Sequence, residues 1–470
     1  MMKLYEQVAS NLQGRVEQGY YQSGDKLPSI RATSQEQGVS ISTAQEAYGL
    51  LVDSGLVQVK PKSGYYVCEH KQRPQLPRIS RPIPKPSEAA RWQEILHMLK
   101  YADDKQAVSL NRASPDVNSP SLKPLLKITS EVNKACWSEL LAYGPLQGKY
   151  KLRHQIARLM IDSGCSIHPD EVVVTTGCQE ALTCILRAIT QPGDIILVDS
   201  PIFFGSLQAI EMNRVKALEI PTDAETGISL EALELALEQW PVKACLLNPT
   251  NNNPLGYTMP DSHKIRLLAL LRKYDIPVIE DDVYGDLTYS VPRPRTIKSF
   301  DNHDQVIYCS SFSKSIATGL RVGWVIPGKY LEKVTMAKYI SSMNTPSLNQ
   351  LAIAEFLAQG YYEKHLRKTR LINKRDRDIM LNLLRQYMPQ GTRVSYPQGG
   401  YLLWVEMPKA INSIELRERA LAEGVSIAPG SFFSTTDKYS NYMRLNSINS
   451  AEPSTQQAVK TLGRICHDLL

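Results

Sequence analysis

The chain has 470 residues, of which 43% are hydrophobic and 21% charged, and its formal net charge is +7. These values predict two or three globular domains, exclude a disordered chain, and give only a weak indication of an anionic partner. No apolar run approaches the length of a membrane span and residues 1–10 lack the apolar stretch of a secretory signal, so we expect a cytoplasmic protein that does not bind membranes. Eight cysteines without paired spacing predict reduced thiols and no metal site.

Residues 1–70 are predicted to form a small helical domain. Apolar side chains recur with a helical period over residues 4–16. A second helix is expected to begin after Ser29 as its N-cap and to stop at Gly38, because small polar residues favour the first position and glycine the second.

A third helix and a β-hairpin complete this domain. The helix is capped by Ser40 or Ser42, and two β-rich runs at 57–59 and 65–67 flank the turn at 61–64. Two short helices around a tight turn, followed by a hairpin, predict a winged helix-turn-helix.

Residues 71–91 are predicted to be an extended, semi-rigid linker. Prolines interrupt any helix or central strand at Pro74, Pro77, Pro82, Pro84 and Pro86. The segment is also basic, because a single acid, Glu88, faces the cations Lys71, Arg73, Arg78, Arg81, Lys85 and Arg91.

Residues 92–470 are predicted to be α/β, with a mostly parallel sheet and, from about residue 331, a smaller flanking α/β domain. Helical patterns alternate with the strand-like runs EVVVTT, DIILVDS, KACLLN, IPVIEDD, QVIYCSS and RVGWVIP. A binding site is expected beyond the carboxyl ends of these strands.

Polar residues do follow those strands, although each has an ordinary explanation. Lys314 stands beside small hydroxyls in SSFSK, and a solvated loop explains it equally well. The strand-Gly-helix junction at Gly177 favours a phosphate but is common in α/β proteins. The acids of DDVY are often helix caps, and the asparagines of NPTNNNPLG are often turn formers.

Taken together and in this order, NPLG, DDVY and SSFSK resemble the class I aminotransferases, which have fold type I and use pyridoxal 5′-phosphate (PLP). The resemblance covers residues 92–470 and implies that Lys314 binds the cofactor covalently and that Asp281 pairs with its pyridine nitrogen. It makes Asn253 and Tyr284 donors to the ring oxygen. The implied phosphate ligands are Ser311, Ser313, Arg321, Gly177, Cys178 and Gln179, although smaller or hydroxyl residues are frequent at the last two positions.

The resemblance also extends to the substrate side and to a second subunit. Phe203 matches the aromatic residue that stacks on the pyridine ring, with Phe204 as the alternative. Tyr143 matches a tyrosine that reaches the partner subunit's phosphate, which implies a homodimer, in a head-to-tail arrangement. Arg444 matches the arginine that clamps a substrate carboxylate, whereas Ala113 and Ser114 replace a substrate-contacting glycine stretch.

The first 70 residues resemble the GntR-type winged helix through GDKLPSIR, STAQEAY and SGYYV. A GntR-type head, a linker and an aminotransferase-like body are the layout of the MocR subfamily of transcriptional regulators. The resemblance implies a double-stranded DNA operator as partner, contacted by Arg31, Ser42, Thr43, Gln45, Tyr48, Lys62, Ser63 and Gly64. Ser42 has the alternative role of a helix cap. The head departs from the family because it is not basic overall and has Ile41 where a basic residue is frequent.

Three interpretations remain for the whole chain. The first is a PLP-binding transcriptional regulator that senses a B6 vitamer or an amino compound. The second is an active aminotransferase with a vestigial head, and the third is a dimerisation body without cofactor, which the intact PLP motifs disfavour. The sequence leaves open whether the body turns over a substrate, and we expect any transaminase activity to be weak.

Overall fold

The computed structural model describes residues 3–17, 20–22, 24–53, 56–60, 63–67, 74–79, 85–88, 92–101 and 107–470. The chain divides into two compact units, Met1–Arg73 and Pro74–Leu470. No helix in these ranges combines the length and apolarity that a membrane crossing needs.

The first unit is a winged helix-turn-helix, as predicted. Its elements are α1 (Leu4–Glu17), α2 (Ile30–Gln37), α3 (Ile41–Asp53), β1 (Val57–Lys60) and β2 (Gly64–Val67). Ser29 caps α2 by accepting a hydrogen bond from the backbone of Ala32 at 3.2 Å, and Gly38 ends it in the left-handed region. Both predictions are confirmed, and the two strands form an antiparallel hairpin that pairs Val57 with Val67.

The second unit begins with the elements that build its large sheet. Its helices up to residue 273 are α4 (Trp92–Tyr101), α5 (Lys123–Ala135), α6 (Trp137–Leu141), α7 (Tyr150–Asp162), α8 (Cys178–Ile189), α9 (Phe204–Met212), α10 (Leu230–Gln239) and α11 (Asp261–Lys273). Its strands up to residue 326 are β3 (Val108–Ser109), β4 (Val173–Thr175), β5 (Ile195–Ser200), β6 (Lys216–Asp223), β7 (Gly227–Ile228), β8 (Val242–Leu247), β9 (Val278–Asp281), β10 (Val306–Ser311) and β11 (Gly323–Ile326).

The large sheet has eight strands in the order β4-β11-β10-β9-β8-β5-β6-β7. Five neighbouring strands, from β10 to β6, are parallel, whereas β11 is antiparallel to both β4 and β10. The carboxyl ends of β4, β5, β8, β9 and β10 therefore meet at one edge of the sheet. All six predicted strand runs are present and buried, and β6 and β7 were not predicted.

The smaller α/β part follows residue 330. It contains α12 (Leu331–Ser342), α13 (Ser347–Ala358), α14 (Tyr361–Tyr387), β12 (Arg393–Val394), β13 (Leu402–Glu406), α15 (Ser413–Ala422), β14 (Val425–Ser426), β15 (Ala428–Pro429), β16 (Tyr442–Asn446) and α16 (Pro453–Asp468). Its antiparallel sheet has the order β12-β13-β16-β15, and β14 pairs in parallel with β3. Apolar residues of these strands pack with α16 into one core.

The described parts of the predicted linker lie against the second unit. The carbonyl of Gln75 accepts a hydrogen bond from the backbone of Val394 at 2.9 Å, and Arg78 N donates to Glu406 at 2.8 Å. Ser87 and Ala217 exchange backbone hydrogen bonds of 2.9 and 3.0 Å at the edge of β6. Neither of these two stretches, 74–79 and 85–88, contains a helix, and both are hydrogen-bonded to the second unit.

Candidate functional site

A cavity of about 210 Å³ lies at the sheet edge where the carboxyl ends of the parallel strands meet. It brings together ten residues that the sequence assigned to a cofactor site. They are Cys178, Gln179, Phe203, Asn253, Asp281, Tyr284, Ser311, Ser313, Lys314 and Arg321. These positions are up to 143 residues apart in the chain, so the fold alone assembles them.

Lys314 follows β10 and carries the amine of the site. Its Nζ donates a hydrogen bond to the carbonyl of Ala113 at 2.8 Å. Burial, reinforced by the positive charge of Arg444, lowers the pKa of Lys314 from 10.5 to about 8, although Asp281 opposes the shift. Because a neutral amine is the nucleophilic form, this environment suits covalent chemistry with a carbonyl compound.

Asp281 is the last residue of β9 and lies beneath the same cavity. Its Oδ1 accepts contacts from Cys178 Sγ at 3.5 Å and from the backbone of Val283 at 3.4 Å. Burial raises the pKa of Asp281 from 3.8 to about 6. A buried carboxyl group without an ion-pair partner, among the residues that the structure describes, fits a ligand that brings a protonated nitrogen.

Asn253 and Tyr284 stand next to each other over the cavity. The backbone of Asn253 donates to Asn248 Oδ1 at 2.8 Å, which fixes the loop after β8. The Tyr284 ring is buried, and its hydroxyl has no hydrogen-bond partner within the described ranges. Because an unpaired buried hydroxyl is costly, this oxygen fits a site that is completed by a ligand oxygen.

An anion cradle adjoins these residues at the start of α8. Gly177 caps the helix with φ of +83°, and a Cβ atom there would lie 2.3 Å from Arg321 Nη2. Arg321 donates from Nη1 to Ser313 Oγ at 3.2 Å and from Nη2 to the carbonyl of Thr176 at 3.0 Å. A guanidinium, hydroxyls and the first N–H groups of a helix are suitable ligands for a phosphate.

Phe203 and Phe204 have different environments. Phe203 is half-buried and lines the cavity, whereas Phe204 packs in the core with its ring 5.5 Å from that of Phe433. Phe203 is therefore the one placed to stack on a ligand ring. Gln179 supports this segment, because its side chain donates to the carbonyl of Gly205 at 2.8 Å while its backbone remains at the helix start.

Arg444 lies on β16, beside the cavity, and is 1% exposed. Its Nη1 donates to Asn253 Oδ1 at 3.2 Å, its Nη2 donates to the carbonyl of Asn111, and its Nε has no partner in the described residues. No carboxylate of those residues forms an ion pair with it. Burial lowers the pKa of Arg444 from 12.5 to about 10. Tyr143, by contrast, is 82% exposed and does not line this cavity.

Several residues around the site escaped the sequence analysis. Asp199 is buried and binds the Tyr257 hydroxyl at 3.0 Å and the Asn252 side chain at 3.1 Å, and burial raises its pKa to about 7. Cys309 approaches Cys178 to 3.5 Å between sulfur atoms, and with Asp281 they form a group of possible metal ligands within 4.8 Å. Because the two cysteines are 131 residues apart in the chain, no local spacing in the sequence indicates this cluster.

Seven of the eight residues predicted to contact DNA fall into three groups. Arg31, Ser42, Gln45 and Ser63 are exposed, Thr43 and Gly64 are half-buried, and Lys62 lies outside the described residues. Ser40, rather than Ser42, caps α3 by accepting from the backbone of Thr43 at 3.1 Å.

The prediction that Tyr48 contacts DNA is wrong. Its side chain is fully buried, and its hydroxyl donates to the carbonyl of Pro28 at 2.6 Å and lies 2.9 Å from the Thr33 hydroxyl. It lies on the same helical face as the buried residues Ala44, Ala47 and Leu51. Tyr48 therefore holds α3 against α2 and the segment before it.

The comparisons with known proteins agree with both units. Residues 116–462 match the family model "Aminotransferase class I and II", and residues 4–67 match "Bacterial regulatory proteins, gntR family". The chain therefore belongs to the class I and II aminotransferase family and carries a gntR-type DNA-binding head, a combination consistent with the MocR type. PLP is the cofactor of the aminotransferase family, and the cavity residues fit it.

Two relatives align with this chain over almost the whole length of both proteins. The chain is 45% identical over 463 residues to YjiR of Escherichia coli strain K12, an uncharacterized HTH-type transcriptional regulator, with 98% of each chain covered. It is 38% identical over the full length of both chains to YdcR, another such regulator of that strain. Among solved structures, kynurenine aminotransferase of Pyrococcus horikoshii, in a complex with PMP, has a TM-score of 0.75 and 32% identity over 80% of this chain and 95% of its own.

Proposed function

We propose that this transcriptional regulator uses its PLP site to sense a compound that carries both an amine and a carboxylate. The observation that carries the proposal is Arg444, a buried guanidinium without an acidic partner in the described residues, next to the amine of Lys314. A buried charge is costly unless it is paired, so a ligand carboxylate is the partner that this arrangement favours.

The proposed roles of the cavity residues follow from their positions. Bound PLP supplies an electrophilic carbonyl group and a ring that accepts electrons. Lys314 holds it through the amine, Asp281 keeps a proton on the pyridine nitrogen, and Tyr284 donates from its unpaired hydroxyl to the ring oxygen. Arg321 and the start of α8 bind the phosphate, and Phe203 orients the ring.

A homodimer is part of this proposal. Tyr143 is 82% exposed, and the neighbouring Leu141 and Trp137 are 81% and 64% exposed. Apolar side chains clustered at the surface favour an interface, and the resemblance of Tyr143 to the family tyrosine supports a head-to-tail dimer in which this side chain reaches the partner's phosphate. The cytoplasm, where the DNA operator is found, is the proposed place of action.

The test is a panel of amino acids and 2-oxo acids with the PLP-bound protein. Three quantities are measured with each compound: turnover, the visible absorbance of the cofactor, and affinity for promoter DNA. We expect one compound to change the absorbance and the DNA affinity together, with turnover far below about 1 per second. A change in absorbance with no change in DNA affinity, for every compound, would contradict the sensor.

A working aminotransferase is the second candidate. It is favoured by the lowered pKa of Lys314, about 8, which lets the amine accept and release a proton near neutral pH. Turnover of about 1 to 1000 per second with a specific pair of amino acid and oxo acid, with no effect on DNA binding, would establish it. The cofactor absorbance alone does not separate the two functions, whereas the rate and the DNA affinity do.

A further inference from the structure

The charge of this protein is unevenly distributed along the chain. Residues 1–70 contain six Lys and Arg and seven Asp and Glu, a net charge of −1, although they include the DNA-binding head. Residues 71–91 contain six cations and one acid, and the remaining +3 of the total of +7 lies on residues 92–470. Non-specific affinity for DNA comes almost entirely from cations that neutralise phosphates. The net charge of the head, −1, is therefore unfavourable for binding DNA, which is a polyanion.

Some of the cations of the head and the linker already interact with other side chains of the protein. Arg15 pairs with Glu36 at 2.7 Å, and Lys60 lies over the ring of Tyr66 at 4.4 Å. Arg78 in the linker lies 3.8 Å from Glu406. Cations outside the head, in the linker and on the second unit, are therefore the candidates for additional phosphate contacts.

The first turns of α14 offer such a surface, which we call the basic stripe: Lys364, Arg367 and Lys368. These three side chains are exposed, and their spacing of three and four residues puts them on one face of a 27-residue helix. Within the described ranges, none of them forms an ion pair, and Lys364 only lies over the ring of Tyr361 at 5.6 Å. Other cations of α14 differ, because Arg375 pairs with Asp376 at 2.8 Å and Arg370 donates to the carbonyl of Asp286.

We propose that the basic stripe binds the phosphate backbone of double-stranded DNA, so that the aminotransferase-like body contributes directly to DNA affinity. The gntR-type head binds the duplex and makes the base contacts. The basic stripe adds phosphate contacts that do not depend on the base sequence. The proposal relies on DNA binding by the head and is independent of effector sensing. Charge complementarity favours DNA, because a duplex carries one negative charge per about 1.7 Å of its axis.

The test uses the full-length, PLP-bound protein and a fluorescent 40-base-pair duplex of random sequence. Binding is measured by anisotropy over a salt series for the wild type and for K364Q/R367Q/K368Q. Each lost phosphate contact should reduce the slope of log K against log salt by about 0.9, so the triple variant should lose up to about 2.7. When affinities at 1 M salt are taken as the reference, each lost contact should lower the affinity at 0.1 M salt by about 8-fold.

Two further variants make the result specific to the stripe. K243Q/K409Q/K460Q removes the same number of exposed cations elsewhere on the second unit and should leave the slope nearly unchanged. K364R/R367K/K368R keeps the charge and should keep the affinity. Unaltered cofactor absorbance in all variants verifies the fold.

Three outcomes would overturn the proposal. One is an equal slope for the stripe variant and the K243Q/K409Q/K460Q control. Another is a stripe variant that keeps its DNA affinity but sediments as a smaller species, which would assign the stripe, with Leu371 beside it at 61% exposure, to a second copy of the chain. The last is lost binding to phosphatidylserine vesicles at unchanged DNA affinity, which would assign it to a lipid surface.

Discussion

Replacing Arg444 by alanine should weaken an amino-acid ligand by about 10- to 150-fold. A hydrogen bond to a charged group contributes roughly 1.5–3 kcal/mol, and each 1.4 kcal/mol changes a dissociation constant tenfold. The fold should tolerate the change. The pKa of Arg444, about 10 instead of 12.5, corresponds to a burial cost of about 3 kcal/mol, which the variant no longer bears. This gain offsets part of the cavity that the shortened side chain leaves.

The assay is a titration of amino acids against the visible absorbance of the bound cofactor. Arg377→Ala is the matched control, because Arg377 is also a buried arginine but packs on the rings of Tyr396 and Tyr289 and donates to the carbonyl of Pro397 at 2.6 Å. It should lower the melting temperature and leave the titration midpoint unchanged. Equal midpoints in the wild type and Arg444→Ala would refute the carboxylate clamp, and the cofactor itself would then be the better candidate effector.

The remaining predictions concern the cofactor, the DNA and pH. Lys314→Ala should abolish the visible absorbance and any borohydride-reducible link to PLP; a reducible link that persists would reassign the lysine. Gly177→Ala should weaken PLP binding, measured by dialysis against free cofactor. The added Cβ atom would lie 2.3 Å from Arg321 Nη2 and would displace that side chain. Arg31→Ala should weaken DNA binding in an electrophoretic shift assay at unchanged absorbance, and an unchanged affinity would move the DNA surface elsewhere. The cofactor-free protein should lose thermal stability as pH rises from 5.5 to 7.5, because burial raises the pKa of Asp199 from 3.8 to about 7 and those of Glu280 and Asp281 to about 7 and 6; Asp199→Asn should make this decline shallower by removing one of the three groups.

The strands of the large sheet were predictable wherever they are continuous apolar runs. β6 was missed because its sequence, KALEIPTD, contains Glu219 and Pro221, which are both unusual in a buried strand. The fold accommodates them by tertiary contacts. Glu219 accepts hydrogen bonds from the hydroxyls of Ser200 at 2.6 Å and Ser434 at 2.8 Å, and those partners are 19 and 215 residues away. Such pairing is invisible to local patterns.

In the candidate site, residues at strand ends were easier to predict than the residues that support them. Asn252 was interpreted as a possible turn former, and its bond to Asp199 depends on two loops that meet only in the folded chain. Tyr48 is a different case, because the sequence did carry the signal. Its spacing from Ala44 and Leu51 follows a buried helical face, and that periodicity should have outweighed its resemblance to a contact residue.

The electrostatics of Lys314 and Arg444 connect ligand binding to proton binding. The positive charge of Arg444 is, after burial, the second cause that lowers the pKa of Lys314, while Asp281 raises it. A carboxylate that binds Arg444 neutralises this charge, so the pKa of the lysine amine should rise and the amine should take up a proton when it is released. Under the proposed function, the site would therefore respond to both ends of an amino acid. The amine of such a ligand would compete with Lys314 for the carbonyl carbon of bound PLP, and its carboxylate would make the displaced lysine a weaker competitor. A compound with only one of the two groups lacks this coupling, which is the physical reason to expect selectivity for amino acids over simple amines.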